Sequence, residues 1–149
     1  MSEIITAPLS GKIVPLEAVP DPVFAEKMLG DGVAILPDEG ILVSPLDGEV
    51  IALPSSGHAC GIKSKTGVEL LVHVGIDTVE MKGQGFRALA QRGDTIKPGQ
   101  TLIEFDLDEI ESAGKSALSP VVVNGATVRL LASGSVSRGE PLMEITTEN

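Results

Sequence analysis

The sequence predicts an all-β protein, an antiparallel sandwich or barrel of short strands with few helices. Seventeen Gly and ten Pro are spread along 149 residues and separate short apolar runs, a pattern typical of many strands joined by turns. Aromatic residues make up only 2% of the chain, so aliphatic side chains must fill the core, and Val and Ile favour strands. We expect one domain over residues 1–149, because the length suits a single core and no linker-like stretch divides it.

Two internal repeats indicate that the β-structure is duplicated. Residues 7–11 (APLSG) match residues 44–48 (SPLDG), and each motif lies between two strand-like runs, within 4–14 and 42–51. Residues 99–105 (GQTLIEF) match residues 139–145 (GEPLMEI), where a glycine turn leads into a strand. The two repeats predict paired β-units within one body.

Three short helices are predicted between the strands. Asp21 and Pro22 can begin the first, as N-cap and first-turn residues, with Gly30 and Gly32 ending it. We expect Phe24, on this helix, to pack in the core. Residues 86–92 predict a second helix, and residues 107–114 a third that is acidic at its start and ends in glycine. Strands at 120–125 and within 126–145 complete the fold.

Residues 57–83 contain both histidines, and their pattern predicts a β-hairpin. His73 faces away from the core, on the same side as Asp77, because the alternate positions around it form one apolar face: Val68, Leu70, Val72, Val74 and Ile76. Residues 64–67 (SKTG) predict the turn. A two-residue loop at 65–66 would place His58 directly opposite His73, with Cβ atoms about 4.5–5.5 Å apart, whereas a bulge at Gly67 would shift the pairing by one.

The charge and cysteine content exclude several classes of function. A formal net charge of −10 disfavours nucleic acid and anionic membranes and favours a basic partner. Cys60 is the single cysteine, so no internal disulfide forms, and we expect it to pack rather than to react. The acidic start of the chain does not resemble a signal peptide, and no apolar run is long enough to cross a bilayer. These features predict a cytoplasmic protein without direct membrane insertion.

Two neighbouring imidazoles on an exposed face, each with a pKa near 6.5, suit proton transfer, phosphoryl transfer or metal binding. The alternative is that two surface histidines are paired by chance. Stable zinc sites need three or four ligands, so His58 and His73 would need a further carboxylate, from Asp77, Glu69 or a partner protein. No GxSxG, HExxH or phosphate-binding glycine loop occurs. The remaining chemistry is a histidine nucleophile that carries a phosphoryl group, with Ser56 orienting an imidazole or serving only as a turn residue.

Residues 67–79 (GVELLVHVGIDTV) closely resemble the phosphohistidine signature of the glucose family of enzyme IIA, from the bacterial phosphoenolpyruvate-dependent sugar phosphotransferase system. Residues 7–11, 19–21, 23–27, 30–32, 82–83, 85–86, 103–106 and 120–122 also resemble this family. The resemblance implies an antiparallel β-sandwich of the duplicated, barrel-sandwich hybrid type with one to three short helices. It implies a phosphotransferase component without obligatory cofactor, in which zinc can be shared by His58, His73 and a partner's carboxylate.

The resemblance also implies the roles of individual residues. His73 would accept phosphate from phosphohistidine on the small carrier HPr and pass it to a cysteine on the IIB domain of a sugar transporter. His58 would contact the phosphoryl group, and Ser56 stands where the family usually has a threonine bonded to the histidine pair. The partner-binding surface would comprise six residues: Asp21, Val23, Phe24, Leu29, Leu71 and Asp77.

Two positions depart from the family pattern, because Pro54 replaces an aromatic residue and Leu71 stands where Phe is common. Both departures concern partner preference. The membrane-anchoring N-terminal segment of some members is not expected here, and regulatory binding of other proteins remains an open expectation. Three other functional classes compete with this one: a metal-dependent hydrolase, a biotinyl or lipoyl carrier domain, and a β-module that only binds. A carrier domain would need its modified lysine between acidic or Met neighbours, and Lys65 and Lys97 lack such neighbours.

Overall fold

The computed structural model describes residues 2–147, and strands dominate them. The fourteen strands are β1 (Ser2–Thr6), β2 (Gly11–Pro15), β3 (Asp31–Pro37), β4 (Ile41–Val43), β5 (Gly48–Ala52), β6 (Ala59–Ser64), β7 (Glu69–His73), β8 (Phe86–Ala88), β9 (Thr95–Ile96), β10 (Thr101–Phe105), β11 (Ser119–Asn124), β12 (Thr127–Leu130), β13 (Ser135–Val136) and β14 (Pro141–Thr146). Two α-helices, α1 (Pro22–Ala25) and α2 (Leu107–Ser112), and two 3-10 helices (Leu16–Ala18 and Thr78–Met81) complete the set.

The strands form one large and two small antiparallel sheets. The large sheet has the order β13-β2-β3-β11-β7-β6-β5-β9, and the small sheets have the orders β1-β14-β12 and β4-β10-β8. The main hydrophobic core contains aliphatic side chains from all three sheets, as the low aromatic content predicts. The all-β class with few short helices is therefore confirmed. Within residues 2–147, no helix is both long and apolar enough to cross a membrane.

The two sequence repeats occupy equivalent places in the fold. The amide of Thr6 donates to the carbonyl of Pro45 (3.1 Å), and the amide of Val43 donates to the carbonyl of Pro8 (2.9 Å), so the matching turns bind each other reciprocally. β1 pairs with β14 as β4 pairs with β10, and both ladders contain a register shift at the corresponding point. The strand order of the large sheet is also symmetric about the β11–β7 boundary. The predicted duplication is therefore confirmed as an approximate two-fold relation.

One of the connections that differ between the two halves shapes the histidine site. Residues 53–58 join β5 to β6 directly, whereas residues 16–30 join β2 to β3 through a 3-10 turn and α1. The longer connection covers the outer face of the large sheet and encloses a second apolar cluster: Leu16, Val19, Phe24, Ala34, Ile76 and Val122. This connection thus covers part of the outer face, and its Phe24 lies beside His73.

The three helix predictions have different outcomes. α1 and α2 are confirmed, and the side chain of Asp21 accepts a hydrogen bond from the amide of Val23 (3.0 Å) as an N-cap. α1 ends at Ala25, before the predicted glycines, because Lys27 adopts a left-handed conformation (φ 59°). The helix predicted over residues 86–92 is wrong. Phe86–Ala88 forms β8, whose backbone groups pair with β10 in a tertiary contact that overrides the local pattern.

Candidate functional site

The β6–β7 hairpin has a three-residue loop, and this loop sets the position of the histidines. The amide of Gly67 donates to the carbonyl of Ser64, and Gly67 adopts a positive φ of 90°, which glycine tolerates without strain. Ala59, rather than His58, therefore pairs with His73 across the ladder. The predicted direct pairing of the two histidines is wrong by one residue, in the direction that a bulge at Gly67 would produce.

The two imidazoles are adjacent in spite of this shift. Their ring centroids lie 5.2 Å apart, with an interplanar angle of 69°. The carbonyl of His58 accepts a hydrogen bond from the amide of Val74 (2.7 Å), so the two segments stay joined one position beyond the Ala59–His73 ladder pair. The expected proximity of His58 and His73 is therefore present.

His73 is fixed by a backbone acceptor that the sequence does not reveal. Its Nδ1 lies 2.6 Å from the carbonyl oxygen of Gly75. A carbonyl can only accept, so Nδ1 carries the proton and donates it, which leaves the lone pair of the neutral ring on Nε2. Gly75 adopts a φ of 76°, and a Cβ there would approach the side chain of Thr78 (2.5 Å) and the carbonyl of Ser116 (2.7 Å). A glycine is therefore required to bring this carbonyl to the ring.

His58 is bound by Ser56. The Ser56 hydroxyl oxygen lies 2.6 Å from Nδ1 of His58, within hydrogen-bonding distance, so the serine can orient the ring. Only 8% of the surface of His58 is exposed, and His73 is half-buried. The expectation of an exposed face is therefore wrong for His58 and met only in part by His73. The aromatic ring of Phe24 lies 5.5 Å from that of His73 and provides part of the cover.

The partial burial changes the pKa values of both rings. Burial lowers the pKa of His58 below 6.5, and the neighbouring His73 lowers it further. Burial also lowers the pKa of His73, against the opposing effects of the hydrogen bond to Gly75 and the carboxylates of Asp21 and Asp77. The expected values near 6.5 are therefore wrong. The shift favours neutral imidazoles at neutral pH, the form that acts as a nucleophile.

The residues expected to bind partners lie around the pair with different exposures. Val23 and Leu29 are 38% and 42% exposed, and Leu71 is partly exposed. Phe24 is only 5% exposed, so the expectation of a core position is confirmed, whereas its place on the expected partner-binding surface is not, because its ring lies against that of His73. Asp77 is exposed and Asp21 is partly exposed. Asp21 and Asp77 lie close enough to His73 for their carboxylates to act on its pKa, so acidic groups flank the ring.

The cysteine and the candidate metal ligands have the following surroundings. Cys60 is fully buried, and burial raises the pKa of its thiol to about 12, which disfavours the reactive thiolate form. Among the side chains of residues 2–147, no group of three or more His, Cys, Asp or Glu could hold a metal ion. A zinc ion requires three or four ligands, one or two more than the two histidines could offer.

A family model and individual relatives point to the same protein family. Residues 3–128 match the family model described as phosphoenolpyruvate-dependent sugar phosphotransferase system, EIIA 1. The chain is 52% identical over 121 residues to the PTS system glucose-specific EIIA component of Bacillus cereus, covering 81% of this chain and 73% of the relative. It is 48% identical over 122 residues to the protein of the same name from Staphylococcus epidermidis, covering 82% and 74% of the two chains.

A solved structure extends this similarity to the fold. Glucose permease IIA from Mycoplasma capricolum superposes with a TM-score of 0.92 at 33% sequence identity, and the match covers 97% of this chain and 96% of the other. The residues matched by the family model, 3–128, include both histidines.

Proposed function

The chain belongs to the EIIA 1 family of the phosphoenolpyruvate-dependent sugar phosphotransferase system, and from this premise we propose that it is a phosphohistidine carrier centred on His73. In this proposal His73 accepts a phosphoryl group from phosphohistidine on HPr and passes it to the cysteine of a sugar transporter's IIB domain, in the cytoplasm. The observation that supports it most directly is the hydrogen bond from Nδ1 of His73 to the carbonyl of Gly75, which leaves Nε2 free to react.

The chemistry of the first transfer follows from that tautomer. The Nε2 lone pair of neutral His73 attacks the phosphorus, a new N–P bond forms, and the N–P bond to the donor imidazole breaks. The proton on Nδ1 stays in place and continues to donate to Gly75, so the ring keeps its orientation while its charge changes. In the second transfer the IIB thiolate attacks the same phosphorus and the His73 ring leaves as a neutral imidazole.

His58 is proposed to steady the phosphoryl group. When the Ser56 hydroxyl donates to Nδ1 of His58, the second nitrogen of that ring carries the proton and can donate to a phosphoryl oxygen. The two ring centroids are 5.2 Å apart, which is close enough for a group on one imidazole to contact the other. Ser56 acts here by fixing the tautomer of His58.

The surroundings suit protein partners. The apolar side chains of Val23, Leu29 and Leu71 offer a contact surface, and the carboxylates of Asp21 and Asp77 offer partners for basic residues. The net charge of −10 favours basic partners in general. In this proposal the charge attracts basic surfaces on HPr, on a IIB domain and on any regulatory target.

No cofactor is proposed for the relay. Zinc fits this chain only as an interfacial ion, because His58 and His73 provide two ligands and a partner's carboxylate would have to complete the site. Such an ion would occupy the same nitrogens as the phosphoryl group.

Incubation with phosphoenolpyruvate, enzyme I and HPr tests the proposal. We expect a mass increase of one phosphate that is labile to acid and stable to base, absent from His73→Gln. For His58→Gln we expect phosphate uptake to persist and transfer to IIB to fall. Full phosphorylation of His73→Gln would refute the assignment of the acceptor, and normal transfer by His58→Gln would refute the role of the second ring.

A further inference from the structure

The turn that follows His73 is held by a buried hydroxyl from another strand. The amide of Gly75 donates to Oγ of Ser119 (3.1 Å), and the Ser119 hydroxyl donates to the carbonyl of Ala117 (2.8 Å). Ser119 is the first residue of β11 and is fully buried. One buried side chain therefore satisfies the buried amide of Gly75 and a carbonyl two residues before itself.

The other polar groups of the turn are fixed in the same way. The carbonyl of Val74 accepts a hydrogen bond from the hydroxyl of Thr78, which is fully buried. The amide of Ile76 donates to the carbonyl of Ser116 (3.0 Å). With the bond from His73 to the Gly75 carbonyl, all four amide and carbonyl groups of the two peptide units flanking Gly75 have a partner.

From this arrangement we propose that Ser119 is a positioning residue for phosphoryl transfer by His73. The residue does not touch the phosphoryl group. It holds the Gly75 peptide so that its carbonyl accepts from Nδ1 of His73, which keeps the lone pair on Nε2 and aims the ring. The inference rests on the proposed phosphohistidine function. It adds Ser119, which lies 46 positions after His73 in the sequence, to the residues that serve the site, and Ser119 acts only through the backbone of Gly75.

The hydroxyl itself is the essential part of Ser119. Alanine at this position would leave the Gly75 amide and the Ala117 carbonyl without their buried partner, and the turn would relax toward water or toward another acceptor. A small rotation of the peptide moves the Gly75 carbonyl away from the ring, which allows the other tautomer. A misplacement of about 1 Å can cost roughly a hundredfold in rate.

Nitrogen-15 NMR of the imidazoles in the unphosphorylated protein provides the first test. In the wild type we expect His73 to be protonated on Nδ1 and the Gly75 amide to be strongly protected from hydrogen exchange. In Ser119→Ala we expect a mixture of tautomers and faster exchange at Gly75. A Gly75 amide that exchanges as freely as an open loop in the wild type would overturn the proposal without any variant.

Phosphorylation by phospho-HPr provides the second test. We expect Ser119→Ala to be phosphorylated roughly tenfold to a hundredfold more slowly, and Ser119→Thr, which keeps the hydroxyl, to recover most of the rate. Ser44→Ala is the matched control, because Ser44 is equally buried and its hydroxyl donates to the carbonyl of Leu46 in a turn that does not contact the histidines.

The outcomes separate the inference from the function on which it rests. If Ser44→Ala and Ser119→Ala lose the same rate, or if Ser119→Ala keeps the Nδ1–H tautomer and the wild-type rate, the positioning role is wrong. If the wild-type protein takes up no phosphate while its His73 tautomer still responds to Ser119→Ala, the phosphocarrier function fails and the structural coupling stands.

Discussion

Phe24→Ala removes the aromatic cover over His73 and should change stability and histidine chemistry together. Phe24 is 5% exposed and belongs to the small cluster between α1 and the large sheet. Truncation of a buried Phe to Ala costs about 3–5 kcal/mol, from lost transfer free energy and the cavity that remains. The cluster lies near the surface and can partly collapse, so we expect a loss near 3 kcal/mol, roughly a hundredfold in the unfolding equilibrium.

The same substitution should raise the pKa of His73. Burial is the largest cause of the low value, and the ring of Phe24 lies 5.5 Å from the imidazole. Water that enters in its place stabilises the protonated form, so the pKa moves up toward its ordinary value of about 6.5. At neutral pH a larger fraction of His73 is then protonated and unable to attack phosphorus.

Urea unfolding measures the stability loss, and an NMR titration of His73 measures the pKa. Phe105→Ala is the matched control, because Phe105 is 7% exposed and stacks on Phe86 at 6.4 Å in the main core. We expect a comparable loss of stability from the control without a change at His73. A folded Phe24→Ala protein whose His73 titrates as in the wild type would refute the idea that this ring keeps the site dry.

Three further outcomes follow from the same structure. Both histidines have a lowered pKa in the folded protein, so the unfolded chain binds more protons below about pH 6.5 and the stability of the fold falls on acidification. In urea titrations, the His58→Gln/His73→Gln variant should therefore lose less stability than the wild type between about pH 7.5 and 5.5. Equal losses in the two proteins would contradict this reasoning. Gly67→Ala should lower the free energy of unfolding, measured by heat or urea, by about 1–2 kcal/mol. Backbone strain alone causes this loss, because open space surrounds the Cβ position, and we expect the register opposite His73 to be kept. Loss of phosphate uptake by this variant would show that the substitution changes the register. Cys60 should resist thiol reagents until the protein unfolds, and rapid labelling of native protein would disprove the burial that raises its pKa.

The outward direction of His73 could be predicted from the sequence because it depends only on alternation along one strand. Leu70, Val72 and Val74 are all at most 2% exposed, as the period of two requires. The duplication could also be predicted, since its turn residues recur in the chain. Both features follow from residue type and spacing along the chain, without knowledge of the tertiary structure.

The register and the burial of the pair could not be predicted in the same way. The register depends on whether Gly67 joins the loop in a left-handed conformation, which the residue type allows but does not require. The burial of His73 depends on Phe24, which lies far away in sequence. The acceptor at Gly75 is a backbone carbonyl, and such groups carry no residue-type signal at all.

The nitrogen that carries the phosphate tests the central claim most directly. NMR of nitrogen-15-labelled protein, phosphorylated by phospho-HPr, resolves which imidazole nitrogen is bonded to phosphorus. Because Nδ1 of His73 donates to the Gly75 carbonyl, we expect the phosphate on Nε2 of His73, with the Nδ1 proton retained. Phosphate on Nδ1 of His73, on His58 or on any other residue would contradict the account.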